Sequence, residues 1–410
     1  MSHMELMNWE YVDYHSGNRK AKFRNLSSFE PSNQSKKGKK GIGIWLFLFF
    51  LVAVLNLIAW FSSAFCDFYI KTIFPIWGRT YGWLCGLMPF SVGEIMLCIA
   101  VILILCFLIL AILWLIGGFL FQITWIKTIF GIYGTILAWI FLAVLWIMTL
   151  NCTILYHAST FDQKYMPSRV EKKYSVEDLT KLRNYVVGQI NLLAPQLERD
   201  EEGYLIYNED IPDRARKEVQ KLGESYDQLK GYYPRSKPIS FSGFMSQMHM
   251  AGYYFPFSME TNYNDDMYIA NKPSTICHEL AHFKGFIYED EAGLIGYLAC
   301  TTSEDPFFQY CGYINVYNYI ERDFRKVVSE KKYKKCVKIN EYAEKDNIFL
   351  TEDAWKEVEE KAIFSTETVD VWSDKFTTTS LKLNGVEIGM EVYNKVVDLL
   401  LKYYDGEIEA

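Results

Sequence analysis

Three absences narrow the reading of this 410-residue chain at the outset. It has no Cys-x-x-Cys pair, no glycine-rich phosphate loop and no internal repeat. The first argues against a thiolate zinc site, the second against a nucleotide held by its phosphates, the third against a repeat array. Charge is missing too, but only locally. Lys40 and Asp67 bracket a run with no charged residue, as do Glu94 and Lys127, and Lys127 and Asp162. Each run exceeds the roughly 20 apolar residues that cross a bilayer. A buried core could explain one such run; three in succession predict a multi-pass membrane protein with transmembrane helices at about 43–65, 95–121 and 128–156.

Charge then orients the chain. Residues 1–40 carry eight basic side chains (Arg19, Lys20, Lys22, Arg24, Lys36, Lys37, Lys39, Lys40) against four acidic ones. The positive-inside rule keeps the tail, residues 1–42, in the cytoplasm, and three crossings deliver residues 158–410 to the outer face of the cytoplasmic membrane. The short connection near Lys127 falls on the cytoplasmic side, in agreement. The first apolar run starts late and is too long for a signal-peptide core, so the first helix is expected to be an uncleaved anchor. The aromatic stretch from Phe68 through Trp77, Tyr81 and Trp83 to Phe90 suits interface anchoring better than a platform beneath the outer domain. Beyond residue 157, 31 basic residues meet 43 acidic ones, a net of −12. Nucleic acid is thereby excluded as a partner, since phosphate binding needs a basic field. The lipid bilayer is the partner that three spans require.

Histidine is scarce, six in all, yet two fall in His278-Glu279-Leu280-Ala281-His282. On a helix, positions i and i+4 share a face, so both imidazoles can reach one metal ion with Glu279 beside it. This is the H-E-x-x-H arrangement of zinc peptidases, in which three protein ligands leave a fourth position for water. The bland reading is a solvated amphipathic helix. The next residues favour the metal: Gly285 lets the chain turn, and Glu289-Asp290-Glu291 opens a second apolar helix. Either Glu289 or Glu291 could be the third ligand, the other acidic residues serving as caps.

The run HELAH-x-x-G-F-x-x-E-D-E-A followed by an apolar helix resembles a bacterial family of membrane proteins of unknown function, DUF3810, whose core is similar to that of the gluzincin peptidases. The resemblance takes in Tyr254-Phe255-Pro256-Phe257 upstream and Leu381-Lys382-Leu383-Asn384-Gly385-Val386 near the end. It implies a mainly α, α+β zincin-like (gluzincin-type) extracytoplasmic domain. In gluzincins with a Glu-x-x-Ala pattern the first Glu binds the metal, which here is Glu289, three before Ala292. Many such proteins carry Asp or Asn after that Ala, whereas this chain has Gly293; the ligand assignment stands, and the residue that would orient a histidine is left open. The family brings no substrate.

Within the outer domain, Ser175 caps a helix reaching about Leu193, and Pro212 begins another running from Asp213 to about Leu229. From Ile239 to Phe257 the sequence predicts one or two strands and no helix. A strand over Phe244–Tyr254 would either pair with substrate backbone or fill the core, and His249 would either contact substrate or be a satisfied side chain. Asn262–Asp266 lacks the Gly and terminal Glu of a calcium loop and is assigned no metal. Tyr310, Tyr313, Tyr317, Tyr319 and Tyr393 are candidates for supporting an oxyanion, core packing being the alternative for each. Glu321–Lys345 and Leu350–Ile363 read as helices, and a final helix ends near Tyr404. Cys66 and Cys85 leave room for a disulfide, and Cys277, Cys300, Cys311 and Cys336 for three pairings.

The sequence therefore predicts a membrane-anchored zinc metallopeptidase acting on a peptide or protein at the outer face of the cytoplasmic membrane. His278, His282 and Glu289 would hold Zn²⁺, and Glu279 would activate the zinc-bound water. The alternative is a membrane sensor or non-catalytic binding protein on the same scaffold. Neither substrate nor oligomeric state is legible.

Overall fold

The computed structural model describes residues 33–369, 371 and 395–408. Helices dominate it. Lys40–Phe61, Val92–Leu120 and Thr124–Tyr156 are long and apolar enough to cross a membrane, within a few residues of the expected spans. They belong to α1 (Asn33–Phe61), α3 (Val92–Leu113, extended by a π-turn to Leu120) and α4 (Thr124–Met148, continuing to Tyr156). Asn56 of α1 donates to Thr149 beyond α4 at 2.8 Å, a polar tie between two otherwise apolar rods.

The segment between the first two spans departs from expectation. α2 (Ser63–Thr72) and the helical turns Phe74–Trp77, Gly78–Gly82 and Trp83–Gly86 form a platform whose inner face belongs to the core of the domain. Cys66, Tyr69, Ile70 and Phe74 are buried there, while Phe68, Ile76, Trp77 and Trp83 stay exposed. The buried face packs into the domain, which interface anchoring does not explain. Cys66 and Cys85 are free thiols, as are all nine cysteines, so no disulfide closes this loop.

Helices α5 (Val176–Leu193) and α6 (Ile211–Leu222) follow; Ser175 and Asp178 make the expected capping box, and Pro212 occupies the first turn of α6. α6 stops seven residues short of the expected Leu229. Gly223 and Ser225 turn the chain there, and Asp227–Leu229 adds only a 3₁₀ turn. The strands are β1 (Lys237–Pro238), β2 (Gly252–Phe255) and β3 (Glu260–Tyr263), in the order β1-β3-β2. β3 runs parallel to β1 and antiparallel to β2, with Tyr254 opposite Thr261. Between β1 and β2 lies α7 (Ser242–Gln247), where the sequence predicts no helix. Six residues with two serines and a glycine have little helical propensity. Tertiary bonds start the turn instead: Glu94 accepts the Ser240 and Phe241 N–H groups, and the Ser242 hydroxyl donates to Ile239 O.

The sheet is then covered by α8 (Lys272–Phe283), on which α9 (Glu289–Thr301) and α10 (Pro306–Val327) pack in turn. α10 ends at Val327 rather than near Lys345, and only the short turns Glu330–Tyr333 and Glu341–Asp346 follow. Val327-Val328-Ser329 is a weak helix former, and Lys331/Lys335 and Lys334/Lys338 would stack like charges at i, i+4. α11 (Glu352–Lys361) and α12 (Lys395–Tyr403) match expectation. Most of the irregular 365–381 stretch, and Tyr393, lie outside the described residues.

One buried ion pair joins the sheet to the spans. Lys237 of β1 meets Glu260 of β3 at 2.5 Å, with side chains 7% and 1% exposed. Lys237 also donates to Cys85 O and Phe90 O, and Glu260 accepts the Val92 and Gly93 N–H groups at the start of α3. A helix N-terminus favours an anion, so this carboxylate satisfies both the lysine and the span. Glu260→Leu should cost about 3–5 kcal/mol by stranding the buried ammonium. Lys237→Met with Glu260→Leu should recover part of that loss in urea unfolding of the detergent-solubilised protein. Equal losses for the single and double variants would contradict the pairing.

Candidate functional site

α8 and α9 form an antiparallel hairpin, and its turn fits its residues. Gly285 takes φ +88° and donates its N–H to His282 O, while Phe286 N–H donates to Ala281 O. These bonds close the C-terminus of α8 and send the chain back through Glu289. The hairpin is tight: a Cβ on Gly296 of α9 would sit 2.9 Å from Ser274 O and 3.2 Å from His278 N, so only glycine permits this approach.

The hairpin brings three side chains together. Ligating atoms of His278, His282 and Glu289 all lie within 4.8 Å of one another. His278 Nε2 stands 3.0 Å from Glu289 Oε2, and His282 Nε2 stands 3.7 Å from Glu289 Oε1. Donors around a four-coordinate ion at about 2.0–2.2 Å are roughly 3.4 Å apart, so the spacing suits a metal ion. The imidazoles meet edge to face, with centroids 4.7 Å apart. His282 Nδ1–H donates to Phe286 O at 2.7 Å, which orients the ring and turns Nε2 toward Glu289 and the cluster. Phe286 acts here through its backbone, a role with no sequence signal. Glu291, the other candidate ligand, is not in the cluster: its carboxylate accepts the Phe161 N–H and serves packing. At Gly293 a Cβ would fall 3.2 Å from Val396 Cγ2, so the missing side chain makes room for α12.

Glu279 is buried beside these ligands. It is 5% exposed, and among the described residues its Oε2 has no hydrogen-bond partner. Burial drives its carboxyl up to about 7, Glu289 pushes the same way, and His278, His282 and the Tyr254 N–H pull against them. For Glu289, burial opposes the charge, but hydrogen bonds with His278 and His282 outweigh it and hold the carboxyl far below its ordinary range. For His282, burial opposes protonation, yet Glu289 and Glu279 win and raise it to about 9. A carboxylate poised near neutrality beside two imidazoles and a low-lying carboxylate can both accept and return a proton.

Strand β2 is an edge of its sheet and passes directly over Glu279. A Cβ on Gly252 would fall 2.9 Å from Glu279 Oε1 and 2.8 Å from Asn262 O, so a glycine is required at this crossing. A glycine inside a strand is a sequence signal for such an approach, and a reading by periodicity alone passes over it. Of the predicted Phe244–Tyr254 strand, only Gly252–Tyr254 is extended; Phe244 belongs to α7. His249 lies in a left-handed turn (φ +51°) against the rings of Phe349 and Trp355, away from the cluster. Among the tyrosines, Tyr319 of α10 is near enough to Glu289 for that carboxylate, after burial, to raise its phenol. Tyr310 donates to Asp346, Tyr313 pairs with Tyr185, and Tyr317 feels Glu321.

Glu291 yields a pH test. Burial lifts its carboxyl to about 8, although the Phe161 N–H favours the charge. A carboxyl raised on folding binds its proton more tightly in the native state, so stability falls as pH climbs from its ordinary 4.5 toward 8. Glu291→Gln should flatten that part of a melting-temperature profile; a profile identical to wild type would show that Glu291 does not set it.

The family model described as "Protein of unknown function (DUF3810)" matches residues 69–401. No curated protein and no solved structure matches the chain. The match starts in the platform between the first two spans and ends in α12, taking in the sheet, the α8–α9 hairpin and every residue of the cluster. On that coverage the chain belongs to the DUF3810 family of proteins of unknown function.

Proposed function

We propose that this protein is a membrane-anchored zinc metallopeptidase of the gluzincin type, hydrolysing peptide bonds at the outer face of the cytoplasmic membrane. The observation that carries the reading is the convergence of His278, His282 and Glu289 beside a buried Glu279 whose Oε2 is unpartnered. Two imidazoles and one carboxylate suit Zn²⁺ and leave a position for water. A bound zinc would acidify that water and polarise the scissile carbonyl.

The chain's own residues do the rest. Glu279 takes a proton from the attacking water and delivers it to the leaving amine nitrogen, so the C–N bond breaks with the proton balance restored. Glu279 is buried beside His278 and His282, with its Oε2 free among the described residues to take that proton. As an edge of the three-stranded sheet beside Glu279, β2 is the strand along which an extended peptide would lie. The basic tail supports the orientation, and so do the ends of the second and third spans at Val92 and Tyr156, which meet the domain through Glu260 and Tyr288.

A second reading, a sensor that transmits the state of the site, draws on the Glu260 bonds to the start of α3. The two separate on one experiment. Full-length protein purified without chelators should carry one zinc per chain by ICP-MS, lost in His278→Ala and kept in Glu279→Gln. Cleavage of a peptide library should fall by about 10²–10⁴ in Glu279→Gln. Metal without any Glu279-dependent cleavage supports the sensor; no metal in wild type overturns both.

A further inference from the structure

A second site lies beyond the C-terminus of α8, where the platform between the first two spans meets the domain. A small cleft of about 30 Å³, open to solvent, is lined by Phe74, Arg79, Gln228, Lys230, Tyr232 and Lys284, among others. Its cations converge. Arg79 Nη2 lies 2.9 Å, and Lys284 Nζ 3.8 Å, from the point where a side chain on Gly231 would begin. Gly231 takes φ +99°, so the backbone there is built to admit them. Lys284 is held by a 2.7 Å bond to Lys230 O and lies 4.1 Å from the Tyr233 ring centroid. Lys230 has a partner, Asp227 at 3.0 Å on the rim. Among the described residues, neither Arg79 nor Lys284 has an ion pair. A guanidinium and an ammonium brought together without a counter-ion repel each other, and an anion between them relieves that repulsion.

The surroundings say which kind of anion. The cleft's floor is apolar: Ile70 and Phe74 are buried, and Phe283 of α8 closes it. Just outside, Phe68, Ile73, Ile76 and Trp77 are exposed on the same helical platform, within the segment that joins two spans. Amphipathic aromatics beside unpaired cations, at the level where spans leave a bilayer, match the headgroup region with acyl chains below.

We propose that this cleft binds the phosphate of an anionic membrane phospholipid, gripped by Arg79, Lys230 and Lys284. The proposal rests on the reading that the three apolar helices span a bilayer, and not on the peptidase reading. The site also touches the metal helix. A Cβ on Gly78 would fall 2.8 Å from Phe283 Cζ, so the last residue of α8 both lines the cleft and packs tightly on the platform.

The test uses the full chain in nanodiscs of phosphatidylcholine with and without phosphatidylglycerol, scoring co-purified lipid by mass spectrometry after detergent extraction. Wild type should retain phosphatidylglycerol in excess of its share of the disc. Arg79→Gln, at an exposed position, should lower that excess about fivefold, Arg79→Glu with Lys230→Glu should abolish it, and Lys334→Glu on the distant surface should leave it unchanged. Equal retention in wild type and Arg79→Gln, both melting alike, overturns the site. In a parallel arm, inorganic phosphate is titrated into protein in phosphatidylcholine discs. A saturable rise in melting temperature that Arg79→Gln removes, without lipid retention, assigns the cleft to a soluble phosphate and overturns the lipid assignment. Failure of the chain to enter discs at all overturns the membrane reading and the lipid site with it.

Discussion

The close backbone contact between α8 and α9 is the constraint on which the site depends. Two histidines four residues apart would face one way on any helix, but a third ligand has to come from another element. Here Gly285 reverses the chain and Gly296 lets α9 settle against Ser274 and His278 at near-contact distance. That approach sets the 3.0 and 3.7 Å separations from Glu289 to the two imidazoles. Glu279 is buried by a different neighbour, strand β2 at Gly252, and Glu291 lies against the Phe161 N–H; desolvation lifts both carboxyls.

The sheet mediates between this hairpin and the spans. One face carries Gly252, lying against Glu279 and Thr275 of α8; Lys237 and Glu260 bond to the platform and the start of α3. The Tyr254-Phe255-Pro256-Phe257 run shows how closely the parts interlock. Phe255 lies 2.8 Å from where a Gly93 side chain would begin, Asn151 donates to Pro256 O, and Tyr81 donates to Phe257 O. The apolar spans and the acidic domain, so different in composition, therefore share one core: Ala59, Tyr69 and Ile154 lie in the same buried cluster as Ile276 and Leu294.

Legibility in the sequence depended on whether the controlling interaction was local. The three long helices follow from runs without charge, the α5 start from Ser175 and Asp178, and the reversal after α8 from Gly285. His278, His282 and Glu289 follow from helical spacing together with family resemblance, and the geometry groups those three while sending Glu291 to the Phe161 N–H. The features that escape the sequence are tertiary. α7 exists because Glu94, 146 residues earlier in the chain than Ser240, accepts the N–H groups at its start. The Phe68–Phe90 segment carries enough aromatics to look like an interface belt, and only its packing partners reveal a platform. The lysine-rich stretch after Val327 is held to the core by Val328, Tyr333, Cys336 and Ile339 as short turns rather than as one helix.

The measurement that bears most directly on the central claim is zinc K-edge X-ray absorption on the full-length protein loaded with one equivalent of the metal. A centre at His278, His282 and Glu289 predicts a shell of nitrogen and oxygen donors at about 2.0–2.1 Å, with the outer scattering of two imidazoles and no sulfur. A shell at about 2.3 Å, the distance of a thiolate, would place the ion among the cysteines and contradict that centre.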